Sequence, residues 1–137
     1  MMMRGLMIGV ALTALAACET GSGAARSFDD PAVQKLYNLR TPEYFATMQV
    51  ASVVARNCAR YSFDTALEFE VNEKRNEVGR GTLSANGLRD AIDMETDVTQ
   101  RSFAAKHGVD LTGGDLCAAA DAETAEGSAL SALLAPA

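Results

Sequence analysis

Few residues of this 137-residue chain have side chains that could do chemistry: three cysteines, a single histidine and one carboxylate on an apolar stripe. The cysteines form no Cys-x-x-Cys pair, and no Gly-x-Ser-x-Gly motif is present to supply a nucleophile for His107. The glycine-rich stretches lack the lysine and the preceding strand of a phosphate-binding loop. We therefore expect no catalytic residues, no metal and no cofactor, and we predict that the protein is not an enzyme.

Cys18 stands at the end of a segment typical of protein export. Arg4 supplies a positive charge, an apolar run of about ten residues extends from Leu6 to Leu15, and small residues lead to the cysteine. The run is shorter than the ~20 apolar residues that a membrane-spanning helix needs. The segment therefore predicts a signal peptide over residues 1–17 that is removed from the mature protein.

Leu15, Ala16 and Ala17, directly before Cys18, resemble the bacterial lipobox. In that motif the thiol receives a diacylglycerol, the leader is cleaved before the cysteine, and the new N-terminus is acylated. The resemblance implies a lipid anchor at Cys18, and two or more acyl chains, at ~0.8 kcal/mol for each buried methylene, hold a protein stably on a membrane. The alternatives are an ordinary cleaved signal peptide and an uncleaved anchor. Glu19, where an aspartate tends to retain such proteins in the inner membrane, slightly favours the outer membrane.

The mature chain predicted from this cleavage is small and acidic. Removal of the 17 leader residues from 137 leaves 120 residues. Loss of Arg4 reduces the 12 basic residues to 11, which against 18 acidic residues gives a charge of −7. Nucleic acid and anionic lipid headgroups both attract basic surfaces, so this charge argues against either as a partner. Residues 18–29 are small and polar and predict a lipidated flexible tether, and residues 30–135 form one domain.

Cys58 and Cys117 remain as an even pair if Cys18 carries lipid. In an exported protein such a pair predicts a disulfide. A bridge that closes a loop of about 60 residues adds roughly 4 kcal/mol of stability in the chain-entropy model. The alternative is a reactive thiol or a metal ligand, which no neighbouring motif supports.

The hydrophobic periodicity predicts an all-α fold, a small bundle of about five helices with one disulfide. Asp30-Pro31 and Thr41-Pro42 each place an N-cap before a proline, and the first helix is predicted to end near Leu39. The second helix has the clearest apolar stripe, with members three or four residues apart: Tyr44, Met48, Ala51, Ala55 and Cys58. No alternation long enough to predict a strand is found.

The third helix is predicted to begin after Ser62 or Asp64 and to be amphipathic. Leu67, Val71 and Val78 are expected on its inner side. Its charged residues are expected in solvent: Glu68, Glu70, Glu73, Lys74, Arg75 and Glu77.

Further helices are predicted from Ser84 onward. Leu88, Ala91 and Ile92 are expected inward, a break is expected near residues 93–96, and the next helix is expected to continue through Val98 and Phe103 to a stop at His107-Gly108. The last helix is predicted from Leu116 to about Leu134, after a turn that supplies Asp115 as its N-cap.

Glu123 interrupts the apolar stripe of that last helix. A carboxylate on an inward face requires a partner, because an unpaired buried charge is costly. We expect a structural ion pair with Arg56 or Arg60, close to the predicted disulfide. The alternative is a carboxylate that belongs to a binding site.

Several of these features resemble a family of small exported helical domains from alphaproteobacteria whose function is unknown. The resemblance rests on Asn57-Cys58 at the end of a long helix and on a C-terminal pattern: Lys106-His-Gly-Val, Asp115-Leu-Cys117-Ala, Glu123, Gly127-Ser-Ala-Leu130 and Leu133-Leu134. It covers roughly residues 40–134 and implies an all-helical fold with a bridge between Cys58 and Cys117. It implies no activity.

Two functional hypotheses follow. The first is a non-enzymatic lipoprotein of the bacterial cell envelope, facing the periplasm, that serves as a protein-interaction or structural module with another envelope protein as its partner. The second is a helical binding module or sensor for a small periplasmic ligand. An exposed apolar patch favours the first hypothesis, and an enclosed pocket with converging polar groups favours the second.

Mass spectrometry of the protein purified from its native membranes tests the lipobox prediction. We expect a chain that begins at Cys18 and carries acyl chains, because the thiol directly follows the cleavage site. A chain that retains residues 1–17 without modification would contradict both the cleavage and the anchor.

Overall fold

The computed structural model describes residues 23–137, which contain six α-helices, two short 3-10 turns and two short strands. The α-helices and strands are, in chain order, α1 (Pro31–Asn38), α2 (Thr41–Arg56), β1 (Tyr61–Phe63), α3 (Thr65–Glu77), α4 (Thr82–Ala85), α5 (Arg89–His107), α6 (Cys117–Glu126) and β2 (Leu134–Pro136). The predicted all-α bundle of about five helices is confirmed, since α4 is a single turn. Leu15, Ala16, Ala17 and Cys18 lie outside the described residues.

The domain begins earlier than the boundary predicted at residue 30. The backbone N–H of Ala25 donates a hydrogen bond of 2.8 Å to Oδ2 of Asp64. The ring of Phe28 packs edge-on against Tyr37, with 5.2 Å between the centroids. Residues 25–28, predicted as part of the tether, therefore lie against the folded domain.

Aspartates cap α1 and α3 as their sequences predict. Asp30 accepts from the backbone N–H of Ala32 at 2.8 Å, and Asp64 accepts from that of Leu67 at 3.0 Å. Asp64 rather than Ser62 is therefore the cap of α3. Each carboxylate satisfies a helix N–H that has no partner within the helix.

The start of α2 differs from the prediction by one residue. Arg40, not Thr41, is the N-cap, and the carboxylate of Glu43 accepts from the Arg40 backbone N–H at 3.3 Å. The hydroxyl of Thr41 instead donates to the carbonyl of Arg80 at 3.3 Å. The threonine thus connects α2 with the loop after α3.

The core is arranged around α2, which packs most extensively along α5. Tyr44 and Ala51 of the predicted stripe are completely buried, Ala55 and Cys58 are buried, and Met48 is half-buried. From the other elements, Leu36, Leu67, Val71 and Leu133 are also completely buried. The period of the second helix therefore identified its inner face correctly.

The C-terminal segment is not the single helix predicted for residues 116–134. The helix α6 ends at Glu126. Gly127 follows in the left-handed backbone conformation with φ 63°, and a 3-10 turn comes next at Leu130–Leu133. The chain then forms β2, which pairs antiparallel with β1 so that Phe63 faces Leu134. These two strands, each only three residues long, are too short to show an alternation that would predict them.

The predicted break at residues 93–96 is also absent, because α5 is continuous from Arg89 to His107. Its predicted stop is confirmed, since Gly108 follows in the left-handed conformation with φ 61°. Thr96 and Phe103 are buried on the inner side of α5. Val98 is exposed, and Leu88 and Ala91, both predicted inward, are exposed as well.

Arg75 is completely buried, although the pattern of α3 predicted it in solvent. Its Nη1 donates to the carbonyls of Tyr37 and Leu39, at 2.6 and 2.8 Å, and its guanidinium lies 4.2 Å from the centroid of the Tyr44 ring. The carbonyls at the end of α1 lack helical partners and carry negative partial charge, so a cation stabilises them. Burial lowers the pKa of Arg75.

Val78, predicted on the inner side with Leu67 and Val71, is instead 53% exposed.

The predicted disulfide between Cys58 and Cys117 is confirmed. It joins residues 59 positions apart, and their Cα atoms are 4.8 Å from each other. Beside it, the backbone N–H of Leu116 donates to the carbonyl of Asn57 at 3.0 Å. The end of α2 and the start of α6 are thus held together by a covalent bond and a hydrogen bond.

Removing this bridge is expected to destabilise the domain strongly. Replacing both cysteines, Cys58→Ser with Cys117→Ser, should lower the free energy of unfolding by about 4 kcal/mol, since the unfolded chain regains the entropy of an open loop. Denaturant unfolding measures the loss. Reducing agent should produce the same loss in the wild-type protein and no change in the double variant. An unchanged unfolding midpoint in the double variant would contradict the prediction.

Candidate functional site

Glu123 on α6 is buried, with 4% of its surface exposed, as its place on the apolar stripe predicted. Its Oε1 accepts a hydrogen bond from Nζ of Lys106 at 2.8 Å. The same oxygen lies 2.6 Å from Nε2 of His107. An ionised carboxylate can only accept, so Nε2 of His107 is the donor in this contact.

The prediction that Glu123 forms an ion pair with Arg56 or Arg60 was wrong. Arg60 instead forms an ion pair with Asp121, which also accepts from the hydroxyl of Tyr61 at 2.8 Å. Asp121 and Glu123 are two residues apart and therefore face different sides of α6. Arg56 is exposed and forms no ion pair within residues 23–137. The sequence identified the buried carboxylate but not the helix that supplies its partners.

Opposing effects set the charge state of Glu123. Burial by itself raises its pKa, but hydrogen bonds from Lys106, Ser128 and His107, together with the charge of Lys106, outweigh burial and leave the pKa below its ordinary value. Hydrogen bonds to Glu123 and Glu126 raise the pKa of Lys106. The cluster is therefore a carboxylate held ionised by a lysine that stays protonated.

This cluster connects the end of α5 with α6 and is closed to solvent at its centre. The side chains of His107 and Glu123 are 8% and 5% exposed, and the ring of Phe103 lies 4.6 Å from that of His107. Lys106 reaches outward and makes a second ion pair with Glu126 at 2.6 Å. Since the buried groups satisfy one another, we interpret the cluster as structural rather than as a place where a substrate binds.

A group of three possible metal ligands occurs at the disulfide: Cys58, Cys117 and Asp115. Their ligand atoms lie within 4.8 Å of one another, but both sulfurs belong to the bridge. The carboxylate of Asp115 already accepts a hydrogen bond of 2.8 Å from the backbone N–H of Cys117. As the structure stands, the group offers a single carboxylate and no thiolate.

An open groove lies between α2, β1, α3 and α5, with a volume of about 390 Å³. Arg56 and Phe63 are on its wall, and the full lining comprises Met48, Gln49, Ser52, Val53, Arg56, Phe63, Glu68 and Gln100. We call it the Arg56 groove. It combines apolar walls with charged and amide groups, as small-molecule sites do. The sequence could not reveal it because its lining residues come from four separate elements.

The exposed large apolar side chains of residues 23–137 all fall within one stretch of the chain, from 69 to 98. They are Phe69 (65% exposed), Val78 (53%), Leu83 (82%), Leu88 (37%), Met94 (71%) and Val98 (48%). We call residues 69–98 the apolar segment. Apolar side chains scattered singly on a surface are ordinary, whereas a contiguous exposed apolar patch is typical of interaction sites.

Leu83 is held at this surface by side chains of α3. The side-chain oxygens of Asn72 and Asn76 accept from the backbone N–H groups of Thr82 and Leu83, at 3.0 and 3.3 Å. Gly81 allows this approach, because a Cβ at that position would lie 2.8 Å from the backbone nitrogen of Asn76. These hydrogen bonds fix the backbone at Leu83, and its side chain is exposed to solvent.

Comparison with protein-family models, curated proteins and solved structures gave no match to this chain. Among the helices of residues 23–137, none has the length and apolar character needed to cross a membrane.

The Glu123 cluster predicts a pH-dependent contribution to stability. The pKa of Glu123 is lower in the folded chain than in the unfolded chain, so its contribution is complete above the unfolded value and is lost as the pH falls through the folded value. At neutral pH, Glu123→Gln should lower the free energy of unfolding by about 2 kcal/mol, since it leaves Lys106 and His107 without a buried anion.

Unfolding measured over a pH series tests this expectation. The difference between Glu123→Gln and wild type should shrink as the pH falls from the ordinary glutamate pKa of about 4.3 through the lower pKa of the folded carboxylate, because the wild-type side chain then also becomes neutral. Glu126→Gln, which alters an exposed partner of the same lysine, is the control and should change stability by less than about 0.5 kcal/mol. A pH-independent difference would contradict the assigned charge state of Glu123.

Proposed function

We propose that this protein is a lipoprotein of the bacterial cell envelope, anchored through Cys18 and facing the periplasm, whose helical domain acts without catalysis by binding another envelope protein. The observation that supports the binding role most directly is the apolar segment. Six large apolar side chains of this segment are exposed, whereas no large apolar side chain of α2 or of the C-terminal turn is exposed. Water contact with so much apolar surface is unfavourable, and a partner that covers it gains stability.

Charge indicates the kind of partner. Residues 69–98 contain seven acidic residues and four basic ones, and Arg75 among the latter is buried. The apolar side chains are therefore set in an acidic surface. Complementary charge favours encounter and suppresses incorrect partners, so the matching surface should be apolar with basic residues at its rim.

The proposal of a lipid anchor is supported by the sequence that precedes residue 23, where the described residues begin. Leu15-Ala16-Ala17-Cys18 supports acylation, and Glu19 slightly favours the outer membrane over the inner one. With a mature charge of −7, the protein gains nothing from anionic headgroups, so the acyl chains would supply the membrane affinity.

A second candidate function is binding of a small periplasmic ligand, which the Arg56 groove favours. Its volume of about 390 Å³ falls at the lower end of the range for small-molecule sites. Binding in this groove and binding through the apolar segment use different residues. The two functions are therefore compatible and can be tested separately.

The partner-binding proposal predicts a specific loss of capture. Protein captured by the full chain from detergent-solubilised envelopes should be lost with Leu83→Asp combined with Met94→Asp, because charges would then oppose an apolar contact. Both positions are more than two-thirds exposed, so folding should be preserved. Affinity capture with quantitative mass spectrometry measures the enrichment.

Two companion variants make this test decisive. Ala122→Asp adds a charge at an exposed position of α6, outside the apolar segment, and should retain the captured protein. Cys18→Ser removes the acylation site and should keep the contact in detergent while losing the membrane association. Failure to enrich any protein, or equal enrichment with the double variant, would count against the proposal.

A further inference from the structure

We propose that the Arg56 groove binds a small zwitterion with an apolar body, a molecule of the amino-acid class that carries one ammonium and one carboxylate. This inference rests on the second candidate function, that the groove takes a small ligand, and is independent of the apolar segment. It is carried by two opposite charges that line the groove without pairing with each other or with another group.

Glu68 supplies the first charge. Its carboxylate lines the groove from α3, is half-buried, and has no hydrogen bond or ion pair within residues 23–137. Burial raises its pKa above the ordinary value. A partly desolvated carboxylate without a partner is unfavourable in the empty protein, and an ammonium placed beside it would restore the missing interaction.

Arg56, the last residue of α2, supplies the positive charge. Five of the seven other arginines in residues 23–137 have a carboxylate or carbonyl partner, namely Arg26, Arg40, Arg60, Arg75 and Arg101. The guanidinium of Arg56 has none there. A guanidinium presents paired N–H donors that match a carboxylate, so this end of the groove suits an anionic group.

The remaining walls fit the rest of such a molecule. Met48, Val53 and Phe63 provide apolar contact for a side chain. The side chains of Gln49, Ser52 and Gln100 also face the groove, and none makes a hydrogen bond within residues 23–137. Arg56 and Glu68 both line the groove and form no ion pair with each other. A ligand that carries both charges can therefore match each of them, whereas a singly charged ligand leaves one unmatched.

Four probes of similar size and shape separate the contributions of the two charges. Phenylalanine carries both, phenethylamine only the ammonium, hydrocinnamate only the carboxylate, and hydrocinnamamide neither. Titration calorimetry of the full chain in detergent, with micelles alone as the blank, measures the affinities at neutral pH. We expect phenylalanine to bind most tightly, each singly charged probe about tenfold more weakly, and the neutral probe most weakly, a tenfold step being about 1.4 kcal/mol.

Two variants assign each charge to its residue. Glu68→Gln should reduce the affinity for phenylalanine to that for hydrocinnamate, and Arg56→Gln should reduce it to that for phenethylamine. Glu77→Gln and Arg89→Gln, exposed positions that do not line the groove, are the matched controls and should leave all four affinities unchanged.

The outcomes distinguish this inference from the function on which it rests. Equal binding of all four probes, abolished by filling the groove with Ser52→Trp, would overturn recognition of a zwitterion and leave a small-ligand site of another class. No binding of any probe would overturn both the inference and the small-ligand function. A preference for phenylalanine that persists in Glu68→Gln or Arg56→Gln would overturn the assignment to these residues.

Discussion

The covalent bond between Cys58 and Cys117 decides how the C-terminal half of the chain meets the first half. It fixes the start of α6 at the end of α2, where Leu116 also donates to the carbonyl of Asn57 at 3.0 Å. From that point α6 brings Glu123 to the end of α5. The chain beyond it returns to the start of α3, where the N–H of Asp64 donates to the carbonyl of Leu133 at 2.9 Å. The ion cluster and the strand pair therefore both follow from where α6 begins.

Arg75 and Glu123 show that a buried charge in this domain serves to complete backbone and helix contacts. Arg75 stabilises the carbonyls at the end of α1, and Glu123 holds the last turn of α5 through Lys106 and His107. Each charge has partners that offset at least part of its desolvation. The compensation at Arg75 is incomplete, because its Nε and Nη2 find no hydrogen-bond partner within residues 23–137, nor does the hydroxyl of Tyr44.

The features that the sequence predicted correctly are those with local causes. A side chain caps its own helix at Asp30, a glycine ends α5 at residue 108, and the stripe of α2 repeats within one helix. The predictions that were wrong concern residues whose environment is set by distant parts of the chain. Arg75 finds its carbonyls 36 and 38 residues away, and the strand pair joins segments that are each too short to show alternation. Periodicity predicts the face of a residue, but tertiary contacts decide its partner.

The short distance between the proposed anchor and Ala25, whose backbone is hydrogen-bonded to the domain, bears on where a partner can lie. Cys18 and Ala25 are seven residues apart, and an extended chain of that length spans at most about 25 Å. Ala25 is tied to Asp64 at the start of α3. If Cys18 is acylated, the domain is therefore held within about one domain diameter of the bilayer. A partner for the apolar segment would then have to be present at the membrane surface, and a ligand of the Arg56 groove would have to reach it there.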